Sequence, residues 1–420
     1  MGLLHRSGLV FGPSRISCPI RGEVNNRVML SRRALLAGSA GALAALAGCA
    51  DPTEQAPSIA PSDSGAPTAT PSPSADSPTP GNSRTPRAPT PSPTSKAAPR
   101  PRVADTIADD LDVPWGIVFL ASGVALVGER NTGRIRQIST RGRVSTLGEV
   151  AGVDAPSGLG EGGLLGIALE PGDPDTLFAY TTTSSDDRVV RVSIAGGKVG
   201  RPRPVLTGIP TSLHHHGGRL LFDRNGLLYV STGDAEQSAT AQDRDALSGK
   251  ILRLRPNGRA APGNPFDNRT WSYGHRNIEG LAFDADHRLW ATEFGDQTSD
   301  ELNVIRKGGN YGWPNEEGRS SNSRFRSPAA VWSPTSSCSP AGLAIARSTA
   351  FIGALRGQCL FAVPLRGADA GRPKAHFVGD YGRIRSVVVA PDGALWMTTS
   401  NTDGRRDPGR NDDKIIRVEL

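Results

Sequence analysis

The chain has 420 residues, of which 37% are hydrophobic and 21% are charged, with 50 glycines, 34 prolines and only 4 cysteines. This length allows one large domain or two ordinary ones, and so few cysteines exclude a disulfide-dense scaffold and an array of zinc sites. The net charge of +7 comes mostly from the first 102 residues, because residues 103–420 carry 37 basic and 36 acidic side chains. A nearly neutral body lacks the basic field that steers proteins onto phosphate backbones, so we expect no nucleic-acid partner.

Residues 1–48 have the pattern of an export signal. The pair Arg32-Arg33 precedes an apolar run over 34–48 that is too short to span a membrane. The run ends in Leu46-Ala47-Gly48-Cys49, which resembles a bacterial lipobox and implies cleavage before Cys49 and lipidation of its thiol. A plain signal peptide with a chance cysteine is the alternative. The arginine pair partly matches a twin-arginine signal, so either export route stays open. A start of translation near residue 28 or 29 is an alternative to Met1.

Residues 49–102 are composed mainly of Pro, Ser, Thr and Ala, and 14 of the 34 prolines lie between residues 50 and 102. Such a segment buries too little apolar surface to offset its ordering entropy, so the composition predicts a disordered, partly extended spacer. At roughly 3.1 Å per residue, the fully extended spacer would reach on the order of 150 Å. We therefore expect residues 49–102 to form a lipidated tether.

Residues 103–420 repeat a unit of a turn, an apolar strand, an Asp-Gly or Asn-Gly turn and a second apolar strand. The hairpins over 222–230 and 389–397 are near copies, each with alternating runs around a tight turn. Six units of about 53 residues are typical of a six-bladed β-propeller, an all-β fold. We expect the last strand, over 414–420, to pair into the first blade and close the ring. The six units begin near residues 114–117, 163–166, 218–221, 279–282, 340–343 and 385–388.

Polar clusters at the blade starts are the candidate functional residues, because propellers bind ligands on loops at one end of the central channel. Arg383 and Arg385 alternate along a strand and therefore share a face, while Arg276 and Arg356 come from other blades. If the four converge, they form a strongly cationic pocket suited to a small polyanion. Ordinary surface salt bridges are the alternative for each arginine alone.

Three consecutive histidines precede one of the blade starts. On a strand, His214 and His216 would share a face and His215 would take the other. A His-x-His pair invites a metal site, but no acidic third ligand lies at close spacing. A lone His215 facing the channel suits a general base, because the ordinary pKa of histidine lies near neutral pH.

Six motifs follow one another over residues 160–166, 215–220, 273–277, 300–303, 309–314 and 382–385. Taken in this order, they resemble those of the glucose/sorbosone dehydrogenase family over about residues 110–420. That family comprises soluble quinoprotein aldose dehydrogenases that use pyrroloquinoline quinone (PQQ) on a six-bladed propeller. The resemblance implies that His215 removes the sugar hydroxyl proton while hydride passes to the quinone.

The resemblance also implies a cofactor site and two calcium sites. The backbone carbonyls of Gly295 and Asp296 match a calcium site that polarises the quinone, and Glu301 and Tyr311 match a second, structural calcium. Hard oxygen ligands, several of them from the backbone, suit this ion. The basic and amide cofactor contacts implied are Arg276, Asn277, Arg356 (where the family usually has Lys), Arg383 and Arg385.

Two neighbours of the quinone depart from the family pattern. Glu161 replaces a residue that is often Gln, and its carboxylate would repel a tricarboxylate unless it were protonated or turned toward calcium. Phe294 replaces another polar neighbour and could instead stack on the flat quinone.

The leading hypothesis is an exported, lipid-anchored, PQQ-dependent aldose dehydrogenase with a small sugar substrate and an unidentified electron acceptor. The alternatives are a non-catalytic propeller lipoprotein that binds a glycan or another anionic envelope ligand, and a calcium-dependent hydrolase of the lactonase type. Cys338 and Cys359 flank one blade. An oxidising compartment would permit a disulfide between them, although strand geometry could hold them too far apart.

Overall fold

The computed structural model describes residues 99–420, so the predicted export signal, Cys49 and the predicted spacer up to residue 98 lie outside it. The described chain forms 25 strands and three short 3-10 helices, and it contains no α-helix. None of its helices is long and apolar enough to cross a membrane. Six sheets of four or five strands confirm the predicted all-β, six-bladed propeller.

The first three blades follow one another in chain order after an N-terminal strand, and each is a four-stranded antiparallel sheet. Three of the connecting loops outside the ladders contain the 3-10 helices Ala195–Gly197, Ser238–Gln242 and Thr335–Ser337. The strands up to the end of blade 3 are β1 (Arg102–Ala108); β2 (Pro114–Phe119), β3 (Ala125–Glu129), β4 (Arg134–Ile138) and β5 (Val144–Glu149) in blade 1; β6 (Leu164–Glu170), β7 (Asp173–Thr182), β8 (Asp187–Ser193) and β9 (Arg203–Ile209) in blade 2; and β10 (Gly217–Phe222), β11 (Leu228–Thr232), β12 (Lys250–Leu254) and β13 (Thr270–Tyr273) in blade 3.

Blade 4 has the same four-stranded form, whereas the third strand of blade 5 pairs with two short strands at its outer edge. The remaining strands are β14 (Ile278–Phe283), β15 (Leu289–Glu293), β16 (Asp300–Ile305) and β17 (Ala330–Trp332) in blade 4; β18 (Pro340–Ala346), β19 (Thr349–Ala354), β20 (Cys359–Arg366), β21 (Asp369–Ala370) and β22 (Lys374–His376) in blade 5; and β23 (Ile384–Val389), β24 (Leu395–Thr399) and β25 (Ile415–Glu419) in blade 6.

Ring closure differs from the prediction. The last strand, β25, stays in its own blade beside β24, and the N-terminal strand β1 adds to its other side, in the order β1-β25-β24-β23. The register runs from Arg102 opposite Glu419 to Ala108 opposite Ile415. The expectation that the final strand enters the first blade was therefore wrong. Because β1 covers the free edge of β25, the two ends of the described chain are joined by a ladder of hydrogen bonds.

The first strand of each blade faces the propeller axis and contacts the first strand of the next blade. These innermost strands (β2, β6, β10, β14, β18 and β23) contain the six predicted blade starts. At the level where neighbouring backbones meet, five of these strands carry a small residue and β10 carries Arg219. A Cβ atom on Gly280 would lie 2.5 Å from the carbonyl oxygen of Ala341 in the next blade, so only a glycine fits there. This ring of small residues consists of Gly116, Gly166, Gly280, Gly342 and Ser386.

The core consists of six apolar clusters, one in each interface between adjacent blades. Alternate side chains of a strand enter the interfaces on its two sides, so most strands are buried on both faces. Phe178 and Leu228 belong to the cluster between blades 2 and 3. Cys338 and Cys359 belong to the cluster between blades 4 and 5 and are free thiols in the structure, not a disulfide. Burial raises the pKa of both, that of Cys359 to about 12.

Candidate active site

A cleft of about 210 Å³ opens where the innermost strands begin, lined by loops and strand ends from blades 2 to 6. Five arginines line it, and we call it the arginine cleft. It brings together ten of the twelve site residues that the sequence predicted inside the propeller: Glu161, His215, Arg276, Asn277, Phe294, Gly295, Asp296, Arg356, Arg383 and Arg385. Its other charged lining residues are Glu279, Asp300 and Arg405.

The three histidines do not lie on a strand, so the predicted alternation was wrong. They belong to the loop before β10, and His215 has a left-handed backbone, with φ of 63°. Each ring bonds a different carboxylate through Nδ1: His214 to Glu236 at 3.1 Å, His215 to Asp234 at 2.8 Å, and His216 to Asp187 at 2.8 Å. Only His215 lines the cleft. Across residues 99–420, no three His, Cys, Asp or Glu side chains cluster as a metal site.

Asp234 fixes the orientation and the proton of His215. The Nδ1 atom lies 2.8 Å from Oδ1 of Asp234, while the other carboxylate oxygen accepts a hydrogen bond of 2.8 Å from the indole of Trp313. An ionised carboxylate only accepts hydrogen bonds, so the proton of neutral His215 lies on Nδ1. The Nε2 atom has no partner among the described residues, which leaves it free to accept a proton in the cleft.

Glu161 is ionised and paired. Its Oε2 accepts the backbone N–H of His215 at 3.0 Å, and its Oε1 lies 3.1 Å from Nη2 of Arg405. Burial by itself would raise the pKa of Glu161, but the His215 amide and the Arg405 guanidinium outweigh it and lower the pKa. Protonation or rotation toward a calcium ion was the expected way for a carboxylate to be tolerated here. The structure provides an arginine instead.

Arg383 and Arg385 share a face, as the alternation predicted, and both reach the buried carboxylate of Asp403. Arg383 donates to it from Nε and Nη2 at 3.0 and 2.9 Å. Arg385 lies 3.5 Å from the same oxygen and 2.7 Å from Glu279. The four arginines converge as predicted, but the pocket is less cationic than expected, because buried carboxylates compensate these two guanidinium groups.

Other donors in the cleft remain without acceptors. Arg276 bonds Asp296 at 2.9 Å and lies over the ring of Trp313, but its buried Nε has no partner among the described residues. The same holds for Nη1 of Arg405. The side chain of Arg356 is exposed at the cleft and forms no ion pair within residues 99–420. The two buried donors suit an anionic ligand, since buried donors are rarely left unpaired. Arg356 adds an exposed positive charge beside them.

The loop that contains Gly295 and Asp296 wraps around a carboxylate of the same blade. Oε1 of Glu317 accepts the backbone N–H groups of residues 296–299 at 2.8–3.1 Å. With these N–H groups bound to Glu317, the carbonyls of Gly295 and Asp296 accept no hydrogen bond from the described residues. Two unpaired backbone carbonyls are a suitable partial ligand set for calcium.

Glu301 and Tyr311 do not line the arginine cleft. They border a separate space of about 10 Å³ together with Glu293 and Glu317. The hydroxyl of Tyr311 accepts from the Arg306 amide at 2.8 Å and donates to a carbonyl at 2.7 Å, so only its backbone carbonyl could bind a metal. Burial and then the neighbouring Glu293 raise the pKa of Glu301 to about 8. A cation would compensate these crowded carboxylates, which fits the predicted structural calcium.

The sequence analysis did not identify the carboxylates that orient the site, nor did it identify one of the five arginines that line the cleft. Asp234 follows the second strand of blade 3, and Glu279 directly precedes the small residue of β14 in an otherwise apolar strand. An acid at such a position is a usable signal, because apolar residues occupy most of the innermost strands. Asp403 and Arg405 lie in the loop before β25, and nothing in their spacing relates them to blade starts.

The model of the glucose/sorbosone dehydrogenase family matches residues 111–416. The chain belongs to this family. It is 30% identical to the aldose sugar dehydrogenase YliI of Escherichia coli over 347 residues, which cover 73% of this chain and 92% of that protein. The match to quinoprotein glucose dehydrogenase B of Acinetobacter calcoaceticus is 29% identical and covers 52% of this chain and 54% of that protein.

Solved structures of the family have the same propeller. The PQQ-bound aldose sugar dehydrogenase of Streptomyces coelicolor is 44% identical, with a TM-score of 0.74, over 77% of this chain and 99% of that one. A putative glucose dehydrogenase of Thermus thermophilus is 39% identical, with a TM-score of 0.71, over 77% and 100% of the two chains.

Proposed function

We propose that this family member is a PQQ-dependent aldose dehydrogenase that oxidises the C1 hydroxyl of a sugar to the lactone. The observation that carries the proposal is the free Nε2 of His215, held by Asp234, in the same cleft as the unpaired arginine donors. The PQQ-bound relative from Streptomyces coelicolor supports the choice of cofactor.

His215 performs the proton transfer. Its Nε2 accepts the proton of the C1 hydroxyl, the C1–H bond breaks with its electron pair, and the C1–O bond becomes a double bond. When bound, PQQ supplies the acceptor for that hydride. Asp234 holds the imidazole in the required tautomer and stabilises the imidazolium that forms, since its carboxylate lies 2.8 Å from Nδ1.

The arginine cleft has donors for a tricarboxylate. Arg276 offers a buried unpaired Nε and Arg356 an exposed guanidinium, while Arg383 and Arg385 are held in place by Asp403. Phe294 offers an aromatic face beside them. The carbonyls of Gly295 and Asp296 would hold a calcium ion next to the quinone, and Glu301 with the carbonyl of Tyr311 would hold the structural one.

The test is a titration of the purified, calcium-supplied protein with PQQ, followed by absorbance on addition of aldoses. We expect saturable PQQ binding and sugar-dependent bleaching of a dye. If the protein neither binds PQQ nor reduces a dye with any aldose tried, the enzyme proposal fails. The non-catalytic propeller that binds a glycan or an anionic envelope ligand would then replace it.

We also propose that the protein is exported and anchored by a lipid on Cys49 to the outer face of the cytoplasmic membrane. The lipobox-like Leu46-Ala47-Gly48-Cys49 supports the proposal, and residues 50–102 would separate the propeller from the bilayer. Cys49→Ser should move the protein from the membrane fraction to the soluble fraction. Cys18→Ser, upstream of the cleavage site, is the matched control and should leave partitioning unchanged. Unchanged partitioning of Cys49→Ser would refute the anchor.

A further inference from the structure

Glu161 connects two parts of the arginine cleft that are far apart in sequence. One oxygen accepts the backbone N–H of His215 at 3.0 Å, and the other lies 3.1 Å from Nη2 of Arg405. The side chain of Glu161 is 27% exposed and that of Arg405 is 22% exposed, so the pair is largely shielded from water. Shielding strengthens an ion pair and its hydrogen bonds.

Arg405 is held at three points, and one edge of its guanidinium remains unused. Its backbone N–H donates to Asp403 at 3.1 Å, and Nη2 is shared between Glu161 and the carbonyl of Leu159 at 2.6 Å. Nη1 is buried and has no partner within residues 99–420. A buried donor without an acceptor is costly, and an anionic oxygen would satisfy it.

The same carboxylate organises Arg405 and the two arginines of β23. Oδ1 of Asp403 accepts the Arg405 backbone, while Oδ2 accepts Nε and Nη2 of Arg383. Arg385 lies 3.5 Å from that Oδ2. Arg405 therefore has a defined place beside the arginines that the sequence assigned to the cofactor, and it lines the same cleft.

We propose that Arg405 is a further cofactor-binding residue that receives a carboxylate of PQQ, and that Glu161 is the positioning residue that couples this contact to His215. The proposal rests on the proposed function. The hydrogen bonds of Glu161 explain how a carboxylate is accommodated at this position, because its negative charge orients the guanidinium of Arg405. Glu161→Gln should accordingly weaken cofactor binding, whereas the removal of a carboxylate that only repelled the cofactor would tighten it.

The experiment measures PQQ affinity by absorbance titration of the full chain with calcium and without sugar. Arg405→Gln should weaken PQQ binding about tenfold or more, the loss expected for a charge-assisted hydrogen bond. Arg405→Lys should lose less, and Glu161→Gln less again. Arg191→Gln is the control, because Arg191 is exposed on β8 and makes no side-chain hydrogen bond within the described residues.

Turnover at saturating PQQ separates positioning from binding. Glu161→Gln should lower kcat severalfold because the loop of His215 loses its carboxylate anchor, whereas Arg405→Gln should lower kcat less than it weakens PQQ binding. Far-ultraviolet circular dichroism and the melting temperature report whether each variant folds. If Arg405→Gln does not fold, Arg405→Lys decides: a folded lysine variant with wild-type PQQ affinity overturns the proposal.

Three other outcomes are also decisive. Wild-type PQQ affinity in folded Arg405→Gln overturns the role of Arg405 and leaves the proposed function intact. Unchanged PQQ affinity together with a raised KM for an acidic sugar, but not for a neutral aldose, would assign Arg405 to the substrate and overturn the cofactor contact. Failure of the wild-type protein to bind PQQ overturns both proposals, and only that outcome removes the proposed function.

Discussion

The six innermost strands have two different ends, separated by the ring of small residues. Where the strands begin, charged and polar side chains surround the arginine cleft, most of them on loops that precede or connect strands. Beyond the ring, the same strands line a channel section of about 450 Å³ with aliphatic side chains such as Ile117, Leu281 and Val387. The apolar side chains recur from blade to blade and stabilise the fold. The polar side chains differ in every blade and form the candidate active site.

Arg219 is the exception in the ring of small residues. It occupies the ring position on β10, donates from Nε to the carbonyl of Glu279 at 2.7 Å and from Nη2 to Ser386 at 3.2 Å, and stacks 4.1 Å over Trp115. Burial lowers its pKa to about 10, so it stays charged at neutral pH. One side chain thus links four blades at the level where the two ends meet.

The largest effect is expected at the polar end. His215→Gln should lower turnover by about 10²–10⁴, because loss of a positioned general base typically costs this much. PQQ affinity and the melting temperature should remain near wild type, since the ring is half-buried and on a loop. His214→Gln is the control, because its ring bonds Glu236 and does not line the cleft. Equal turnover losses in the two variants would contradict the assignment of the base.

The two ends also differ in how far the sequence predicts them. The apolar half follows from alternation and tight turns, as at Asn225-Gly226, and these local patterns located all six innermost strands. The closing strand pair was predicted incorrectly, because the sequence alone does not show whether β25 or β1 crosses between terminal blades. A hydrophobic pattern specifies which face is buried, but it does not specify which edge is free.

In the polar half, the sequence does not reveal which side chains pair with one another. Arg405 lies 244 residues from Glu161, and the link exists only because the ring closes. The histidine run was interpreted as a strand, but the left-handed backbone at His215 turns each ring toward its own carboxylate. The family motifs identified the residues in the cleft, whereas the carboxylates that compensate them lie outside the motifs, Asp234 and Asp403 on loops and Glu279 on β14.

At the apolar end, Leu281→Ala should reduce stability and leave the chemistry intact. Leu281 is 4% exposed and belongs to the cluster between blades 3 and 4, so its truncation should cost about 2–5 kcal/mol of unfolding free energy. PQQ affinity of the folded variant should not change. Val389→Ala, at a 40% exposed valine, is the control and should cost little. Denaturant unfolding measures both, and a stability loss below that of Val389→Ala would argue against the interface core.

Between the two ends, Gly116→Ala should disturb the ring. Its Cβ would lie 2.8 Å from the carbonyl oxygen of Leu165 and from the amide nitrogen of Ile167, both backbone atoms of the next blade. Overpacking of this kind costs about 1–3 kcal/mol. Gly371→Ala is the matched control, since its Cβ would find nothing closer than 3.4 Å. Thermal unfolding with equal midpoints for the two variants would show that the blades can separate at this level.

The smallest effect concerns His216, the last polar side chain before the ring in blade 3. Burial opposes protonation of its ring, but the hydrogen bond and charge of Asp187, with a further contribution from Glu161, raise its pKa above the ordinary value of 6.5. A pKa that is raised in the folded state stabilises the protein fully below about pH 6.5, and this stabilisation is lost as the pH rises through the folded-state value. The difference in unfolding free energy between the wild type and His216→Gln should therefore be largest near pH 6 and shrink toward pH 9. Denaturant titrations across this range measure the difference, and one that stays constant or grows with pH would mean that Asp187 holds His216 only as a neutral ring.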